Sequence, residues 1–307
     1  VLTGGGRVLT CRPDNEHADL FFGFPNSYGT LGYALKLKAK IVKAGPYVAL
    51  EHRCVSDIDR FFAALAEESA NGVDFIVGVA LRPGDFCLTT GRFVDSAPYR
   101  SDYTYEKIYY RSLRERHSDF LTAHDFIWRW DTDWFWCSKN VGAQIPWVRR
   151  LYGRDRLGSR TYQRIMRWNS RWGLTKGLDR LLGEYSESII QDVDIPIANA
   201  AAFLDFFQRE IGIAPAWTCP LIGTIAADRF PLYRLRPGEL YINFGFWDVL
   251  RRKGRFTPDQ FNRLIEDRIL ALGGIKSLYS DSFFDRGTFD RIYGGESGDW
   301  IYGQAGN

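Results

Sequence analysis

Residues 1–43 read VLTGGGRVLTC followed by RPDNEHADLFFGFPNSYGTLGYALKLKAKIVK. Val1–Thr3 and Arg7–Cys11 are β-prone runs separated by Gly4-Gly5-Gly6, which predicts a hairpin because glycine accepts positive φ without steric cost. Pro13 ends the second strand, and Asp14 is placed to cap a short helix over Asn15–Phe22. Asn26-Ser27-Tyr28-Gly29 predicts a turn, and Gly29-Thr30-Leu31-Gly32 leads on from it. In the next stretch Leu35, Leu37, Ala39 and Ile41 alternate with Lys36, Lys38 and Lys40, the period of a strand with one buried and one wet face. On spacing alone Gly29–Gly32 is a tight lead-in to that strand.

The chain has 307 residues, of which 45% are hydrophobic and 25% charged, the proportions of an ordinary globular protein with room for two domains. A net charge of +3 is too mild to argue for nucleic acid, and none is expected as a partner. No apolar run reaches the roughly 18 residues of a membrane span, and no secretory leader is visible. The expected location is cytoplasmic or peripheral on a membrane, not secreted. Cys11, Cys54, Cys87, Cys137 and Cys219 are odd in number and scattered, which predicts reduced thiols packed as small apolar groups in a reducing compartment. The four histidines show no metal-ligand spacing, so no metal site is expected.

Beyond residue 45 the pattern predicts β-α-β-β: a strand over Pro46–Val55, a helix capped by Ser56 and closed by Gly72, then strands Val73–Leu81 and Phe86–Val94. A comparable unit follows later, with strands Ser188–Ile195, Ala214–Leu221 and Glu239–Trp247 and a helix over Asn199–Ile211. Thr257-Pro258-Asp259-Gln260 opens a further helix, Ile275–Phe284 reads as a last strand, and Thr288–Tyr293 as a short helix. The fold class is α+β, two open-faced units on one antiparallel sheet whose helix-free face roofs a ligand site. The domains are 1–45, a sheet domain made of 46–98 and 181–295, an insertion at 99–180, and a polar, Gly-rich tail at 296–307.

The insertion holds seven of the ten tryptophans: Trp128, Trp130, Trp134, Trp136, Trp147, Trp168 and Trp172. Arg156, Arg160, Arg164, Arg167 and Arg171 follow at helical spacing. Such a stripe suits a solvated helix face, and equally a contact with an anionic membrane surface over Arg156–Arg171, where Trp and Arg partition together.

Taken together, the hairpin, the ADLFF helix, the SxGTLG turn and the alternating strand resemble the second half of the PCMH-type FAD-binding domain of the vanillyl-alcohol-oxidase-type flavoproteins. Within that group the chain is similar to the Δ24-sterol reductase family. The matching pieces run from Asp19-Leu20-Phe21 and Gly29-Thr30-Leu31-Gly32, through Pro46–Leu50, Phe135-Trp136 and Gln191-Asp192 with Pro196. They continue through Pro215, Trp217 and Cys219-Pro220 to Glu239–Ile242, Leu278-Tyr279 with Asp281, and Phe289.

The resemblance implies that residues 1–45 are the C-terminal part of the FAD domain and that 46–98 with 181–295 form a substrate cap of two ferredoxin-like units. The family's first FAD subdomain is expected to be missing from this chain. FAD would lie on Gly29, Thr30, Leu31, Gly32 and Tyr33, with NADPH as electron donor, although no dinucleotide fingerprint is present. The implied reaction is hydride delivery to a double bond of a sterol-like or isoprenoid lipid, with a proton supplied to the other carbon. Tyr241 and Tyr279 are the candidate donors, with Asp281 placed to orient Tyr279. Phe135, Trp217 and Cys219 are candidate substrate-lining residues. All of these also suit plain packing. An FAD oxidase or dehydrogenase acting on another lipid or alcohol is the rival enzyme reading, and a non-catalytic lipid- or membrane-binding module is the rival from another class.

Overall fold

Period-two alternation builds the sheet on which everything else packs. The computed structural model describes residues 1–172, 179, 182–224 and 229–294. Strands β1 (Tyr47–Val55), β2 (Phe75–Arg82), β3 (Asp85–Val94), β4 (Ser118–Thr122), β5 (Glu184–Pro196), β6 (Ala216–Ile222), β7 (Leu240–Lys253) and β8 (Ile275–Lys276) form one antiparallel sheet in the order β4-β1-β3-β2-β6-β7-β5-β8. In each half the order is fourth, first, third, second, so the two halves repeat one topology and join where β2 meets β6, Val79 opposite Trp217. The predicted α+β class and antiparallel sheet are what form.

In chain order the helices are α1 (Ala18–Gly23), α2 (Ile58–Ala70), α3 (Tyr109–Ser112), α4 (Ala123–Trp128), α5 (Pro146–Tyr152), α6 (Ser159–Trp172), α7 (Ile197–Phe206, continued by a wider turn to Ile211), α8 (Gln260–Ala271) and α9 (Arg286–Tyr293). Helices α2, α7 and α8 lie on one face of the sheet. There Phe61, Phe62 and Leu65 meet Phe203 and Phe207 over Phe244 and Phe246, with Ile265 and Ile269 from α8. Each such side chain withdrawn from water contributes roughly 1.5–3 kcal/mol. Gly78 lets α2 approach this closely, because a Cβ there would strike the ring of Phe61 and the Thr218 hydroxyl.

Several local predictions give way to tertiary contacts. The α2 cap is Asp57, whose carboxylate accepts from Arg60 N at 2.8 Å, one residue beyond the predicted Ser56. Asp14 caps nothing among the described residues; Asn15 instead accepts from the amides of Arg12 and His17, and the helix starts at Ala18. Asp259, not Thr257, precedes α8. The predicted last strand is paired only over Ile275–Lys276, leaving Ser277–Phe284 as a loop. The N-terminal hairpin forms, with Leu2 bridging both Val8 and Tyr33. The strand predicted over Leu35–Ile41 does not: its apolar side chains stand in solvent, Ile41 at 93% exposure, because no described strand lies beside it. The tail 296–307 lies outside the described residues.

Cys54 and Cys87 are opposite residues of β1 and β3, with Cα atoms 4.0 Å apart, and are joined as a disulfide. This corrects the expectation of five reduced thiols. Scattered sequence positions say nothing of strand register, and the register sets these two side by side. Cys11, Cys137 and Cys219 remain free thiols.

The helix-free face is also not the open roof that was expected, since the insertion fills its first half. Tyr103, Tyr109, Trp130 and Trp136 pack there against Val48, Leu50, Val79 and Leu121. Trp134 packs nearby between Tyr162 of α6 and Tyr152 of α5.

Lys276, fully buried on β8, meets Glu266 of α8 at 2.6 Å and also donates to the Asp281 carbonyl, while Glu266 accepts from Phe283 N. These contacts hold the far end of the Ser277–Phe284 loop. Removing one member of a buried pair leaves an uncompensated charge. Lys276→Met is therefore expected to lower unfolding free energy by about 3–5 kcal/mol. The double variant Lys276→Met/Glu266→Leu should recover most of that loss, as followed by urea denaturation. Alkylation of the denatured, unreduced protein should label Cys11, Cys137 and Cys219 and spare Cys54 and Cys87, as read by peptide mass.

Candidate active site

The floor of the second half of the helix-free face is made by alternate residues of three strands. On β5, Val193 and Ile195 turn toward the helices, which puts Asp192 and Asp194 on the opposite face. On β7 the same alternation sets Asn243, Gly245 and Trp247 against Phe244 and Phe246. Register then assembles two rows across β6, β7 and β5: Trp217–Gly245–Asp192 and Cys219–Asn243–Asp194.

Over these rows stand two tyrosines. Tyr279, in the loop held by Lys276 and Glu266, accepts a hydrogen bond from Trp247 Nε1 at 3.0 Å, and its hydroxyl faces the Asp192 carboxyl. Tyr233 donates to Asp194, whose other oxygen accepts from Asn243 Nδ2 at 2.7 Å. Burial pushes the Asp192 carboxyl up to about 6, against the hydrogen bond from Tyr279, and leaves Oδ1 without a partner. Burial raises Asp194 as well, and it raises the Tyr279 hydroxyl further with help from the Asp192 charge. The Cys219 thiol is pushed up to about 11 by burial, so it packs as an apolar group and is no thiolate nucleophile. Asp192 with Tyr279 is thus a pair able to hold and pass a proton at the edge of an apolar surface.

The N-terminal segment closes one side. Asn26 donates to the Leu232 carbonyl at 2.5 Å and accepts from Leu278 N at 2.8 Å, stitching the turn to the Tyr279 loop. The Tyr28 ring lies 6.0 Å from that of Tyr279. Asn26 and Tyr28, with Ile222, Phe230, Tyr233 and Ser277, line a cavity of about 350 Å³. From the insertion, Phe135 sets its ring 5.5 Å from Trp247 and remains 43% exposed. Trp134, Phe135 and Trp136 are consecutively left-handed, with φ of 55°, 49° and 59°. The Asp133 carboxyl holds this turn by accepting from Trp136 N at 2.9 Å.

No family model matches the chain. Among curated proteins it is 25% identical over 309 residues to the human Delta(24)-sterol reductase, an overlap covering 96% of this chain and 57% of that protein. It is 21% identical over 325 residues to the Delta(24)-sterol reductase homolog of Caenorhabditis elegans, covering 98% and 60% respectively. It is 20% identical over 333 residues to the Arabidopsis thaliana Delta(24)-sterol reductase, covering 96% and 58%. The chain is similar to Delta(24)-sterol reductases along almost its whole length. It spans a little under two thirds of their length.

The residues singled out in the sequence fall into two sets. Tyr279, Trp217, Cys219 and Phe135 converge on the face around Trp247. Tyr241 does not join them; it is buried at the end of β7, donating to Glu239 at 2.7 Å and accepting from Arg236 N at 3.2 Å. Asp281 contributes its carbonyl to Lys276, and the carboxyl facing Tyr279 belongs to Asp192 instead. Asp194, Asn243, Gly245, Trp247 and Tyr233 went unnoticed in the sequence. The signal was two aspartates spaced i, i+2 around Val193 at the buried end of β5, which puts two acids on one buried face.

The Gly29–Tyr33 turn divides by role. Gly32 is required by the hairpin, since a Cβ there would strike the Leu2 carbonyl, and Leu31 packs beside Leu232 and Ile275. Gly29 has φ of +92°, and a Cβ there would find only the Tyr33 ring, at 3.9 Å. Gly29, Thr30 and Tyr33 therefore leave an open outer surface on this turn. Among the described residues no group of His, Cys, Asp or Glu is placed to hold a metal ion.

Gly245 sets the spacing of the site, because a Cβ would come within 2.7 Å of Asp192 Oδ1 and 2.6 Å of the Trp247 ring. Gly245→Ala is expected to destabilise by about 1–3 kcal/mol through overpacking and to change Trp247 emission. Thermal unfolding and fluorescence, with Trp247→Phe as the background for assigning the emission, check both effects.

Proposed function

We propose that this chain is the substrate-cap part and adjoining cofactor turn of an FAD-dependent oxidoreductase that saturates a carbon–carbon double bond in a sterol-like or isoprenoid lipid. The observation that carries the reading is the Asp192–Tyr279–Trp247 group, set at the edge of an apolar face and beside the turn that bears Gly29. The names of the relatives and the agreement of their order along almost the whole chain support the substrate class. We read the two repeated halves of the sheet as ferredoxin-like cap units and residues 1–45 as belonging to a PCMH-type FAD domain.

In this mechanism Gly29, Thr30 and Tyr33, together with the backbone of Leu31 and Gly32, would hold FAD. When bound and reduced by NADPH, FAD would supply the hydride that adds to one carbon of the alkene. The remaining work falls to the protein. An isolated alkene is a poor hydride acceptor, so a proton has to arrive at the other carbon as the hydride does. Tyr279 Oη is the donor. The Trp247 N–H at 3.0 Å stabilises the oxygen as the proton leaves, and Asp192, protonated below about pH 6, restores the proton. Trp217, Phe135 and Cys219 keep water from the reacting carbons and suit a rigid hydrocarbon.

The pH dependence has a definite sign. Asp192 titrates at about 6, so the protonated reserve is full well below that pH and is lost as pH rises through it. Turnover of a Δ24 sterol, measured as the saturated product by mass spectrometry in anaerobic single turnovers with NADPH, should therefore fall above pH 6. Asp192→Asn should abolish that limb. Tyr279→Phe should cut turnover by roughly 10²–10⁴-fold, the usual contribution of general acid catalysis, without loss of bound FAD. If the reduced protein leaves the sterol untouched while an alcohol substrate yields peroxide in air, the oxidase reading replaces this one.

A further inference from the structure

The Arg-rich stripe predicted from sequence has a definite place in the fold. Helices α5 and α6 pack on the same buried ring, Trp134, which stacks with Tyr162 at 5.3 Å, meets Tyr152 at 6.3 Å and donates to the Leu157 carbonyl at 2.5 Å. Tyr152 and Arg149 face inward on α5, and Tyr162 with Ile165 on α6. The opposite face of each helix is exposed. On α5 the outward face carries Trp147 and Leu151, 65% and 73% exposed. On α6 it carries Arg160, Arg164, Arg167, Trp168 and Arg171, all exposed and spaced three or four residues apart.

The charges on this surface are unopposed. Between residues 141 and 172 the only acidic residue is Asp155. Arg150 and Arg154 pair with Glu106 and Asp102 on the flank. Arg160, Arg164, Arg167 and Arg171 make no ion pair with an acidic side chain among the described residues. Large apolar side chains projecting as far as Trp147, Leu151 and Trp168 do, within a field of unpaired arginines, match the layering of a phospholipid interface. Indole lies at the headgroup level there, an aliphatic tip reaches below it, and guanidinium meets phosphate. A nucleic acid would satisfy the arginines but leave Leu151 uncovered. No described helix is long and apolar enough to cross a membrane, so this contact lies on the surface.

We propose that the outward faces of α5 and α6 dock on an anionic phospholipid bilayer. The surface stands on its own exposed residues, whatever reaction the cap performs. The same insertion reaches the substrate face on its inner side, through Trp134, the adjacent Phe135, and Trp247 beyond it. Lys139 and Asn140 anchor it there by bonds of 2.7 and 2.8 Å to Asp248, next to Trp247. A lipid leaving the bilayer at Trp147 is thus brought to the segment that closes over the proton-passing pair.

The test is sedimentation with vesicles of phosphatidylcholine alone and of phosphatidylcholine with phosphatidylserine. The protein should bind the phosphatidylserine vesicles preferentially, and salt should weaken that binding. Each arginine near such a surface contributes roughly fivefold in affinity, so Arg160→Gln/Arg164→Gln/Arg167→Gln should bind roughly a hundredfold more weakly. Trp147→Ala/Leu151→Ala should weaken binding to both vesicle types and leave the salt dependence in place. All five side chains are exposed, and circular dichroism should show both variants folded. The proposal is overturned if the protein prefers neither vesicle, if both variants bind as the parent does, or if single-stranded RNA is bound through the same arginines while vesicles are not.

Discussion

Lys276 and Glu266 meet at 2.6 Å with neither side chain reaching solvent, and the candidate site depends on that contact. Burial drives the ammonium down and the carboxyl up, and each charge opposes the shift of the other. A pair of this kind adds little net stability compared with apolar residues of the same shape. What it adds here is position. Lys276 also takes the Asp281 carbonyl and Glu266 the Phe283 amide, so a loop with no strand partner of its own is pinned at its far end. Asn26 and the Ser277 amide, which donates to the Asp192 carbonyl at 2.9 Å, pin the near end. Tyr279 lies between the pins, and its hydroxyl is fixed over Asp192 without belonging to regular structure.

The two faces of the sheet divide the work. Toward α2, α7 and α8 the strands give mostly Phe, Ile, Leu and Val, with the buried Gln191 and Glu187 of β5 bonded to Asn262 of α8, and this face supplies the stability. The other face carries two buried carboxyls, an indole and a glycine at adjoining positions of the same strands. Burying Asp192 with one oxygen unpartnered lowers stability, and the apolar face behind it offsets that cost. Because side chains alternate strictly along a strand, neither face can shift without the other. The register that packs Phe244 into the core is the register that sets Gly245 beneath Asp192.

Much of this was legible in the sequence. Strands β1–β3 and β5–β7, and the helices α2, α7 and α8, follow from period-two and period-3.6 patterns, with Gly72 closing α2. Tyr279, Trp217 and Phe135 were found through a family likeness, and they do gather on one face. The failures share a cause, which is dependence on a partner distant in sequence. Alternation over Leu35–Ile41 specifies half of a ladder, and the described residues hold no other half. Ser277–Phe284 has the composition of a strand but gives its amides and carbonyls to Glu266, Lys276 and Arg263. The Cys54–Cys87 bond follows from the pairing of β1 with β3, which spacing does not encode. Asp281 looked like the partner of Tyr279 because it is near in sequence, whereas Asp192 is near only across the sheet.

The turn at Trp134–Trp136 shows why the insertion belongs to the site. Bulky residues in the left-handed region cost on the order of 1 kcal/mol or more apiece, and three in succession persist only where the surroundings over-determine them. Here they do. Trp134 is fixed through its indole to Leu157, Trp136 is wholly buried between Tyr110, Trp130 and Trp247, and the Asp133 carboxyl takes the Trp136 amide. With both neighbours turned inward and locked, the residue between them has to point out, and that residue is Phe135. A relaxed turn would bury Phe135 with the others at lower cost. The strain therefore goes into holding one aromatic ring over Trp247, partly open to solvent, where a rigid apolar molecule approaching the Asp192–Tyr279 pair would meet it first.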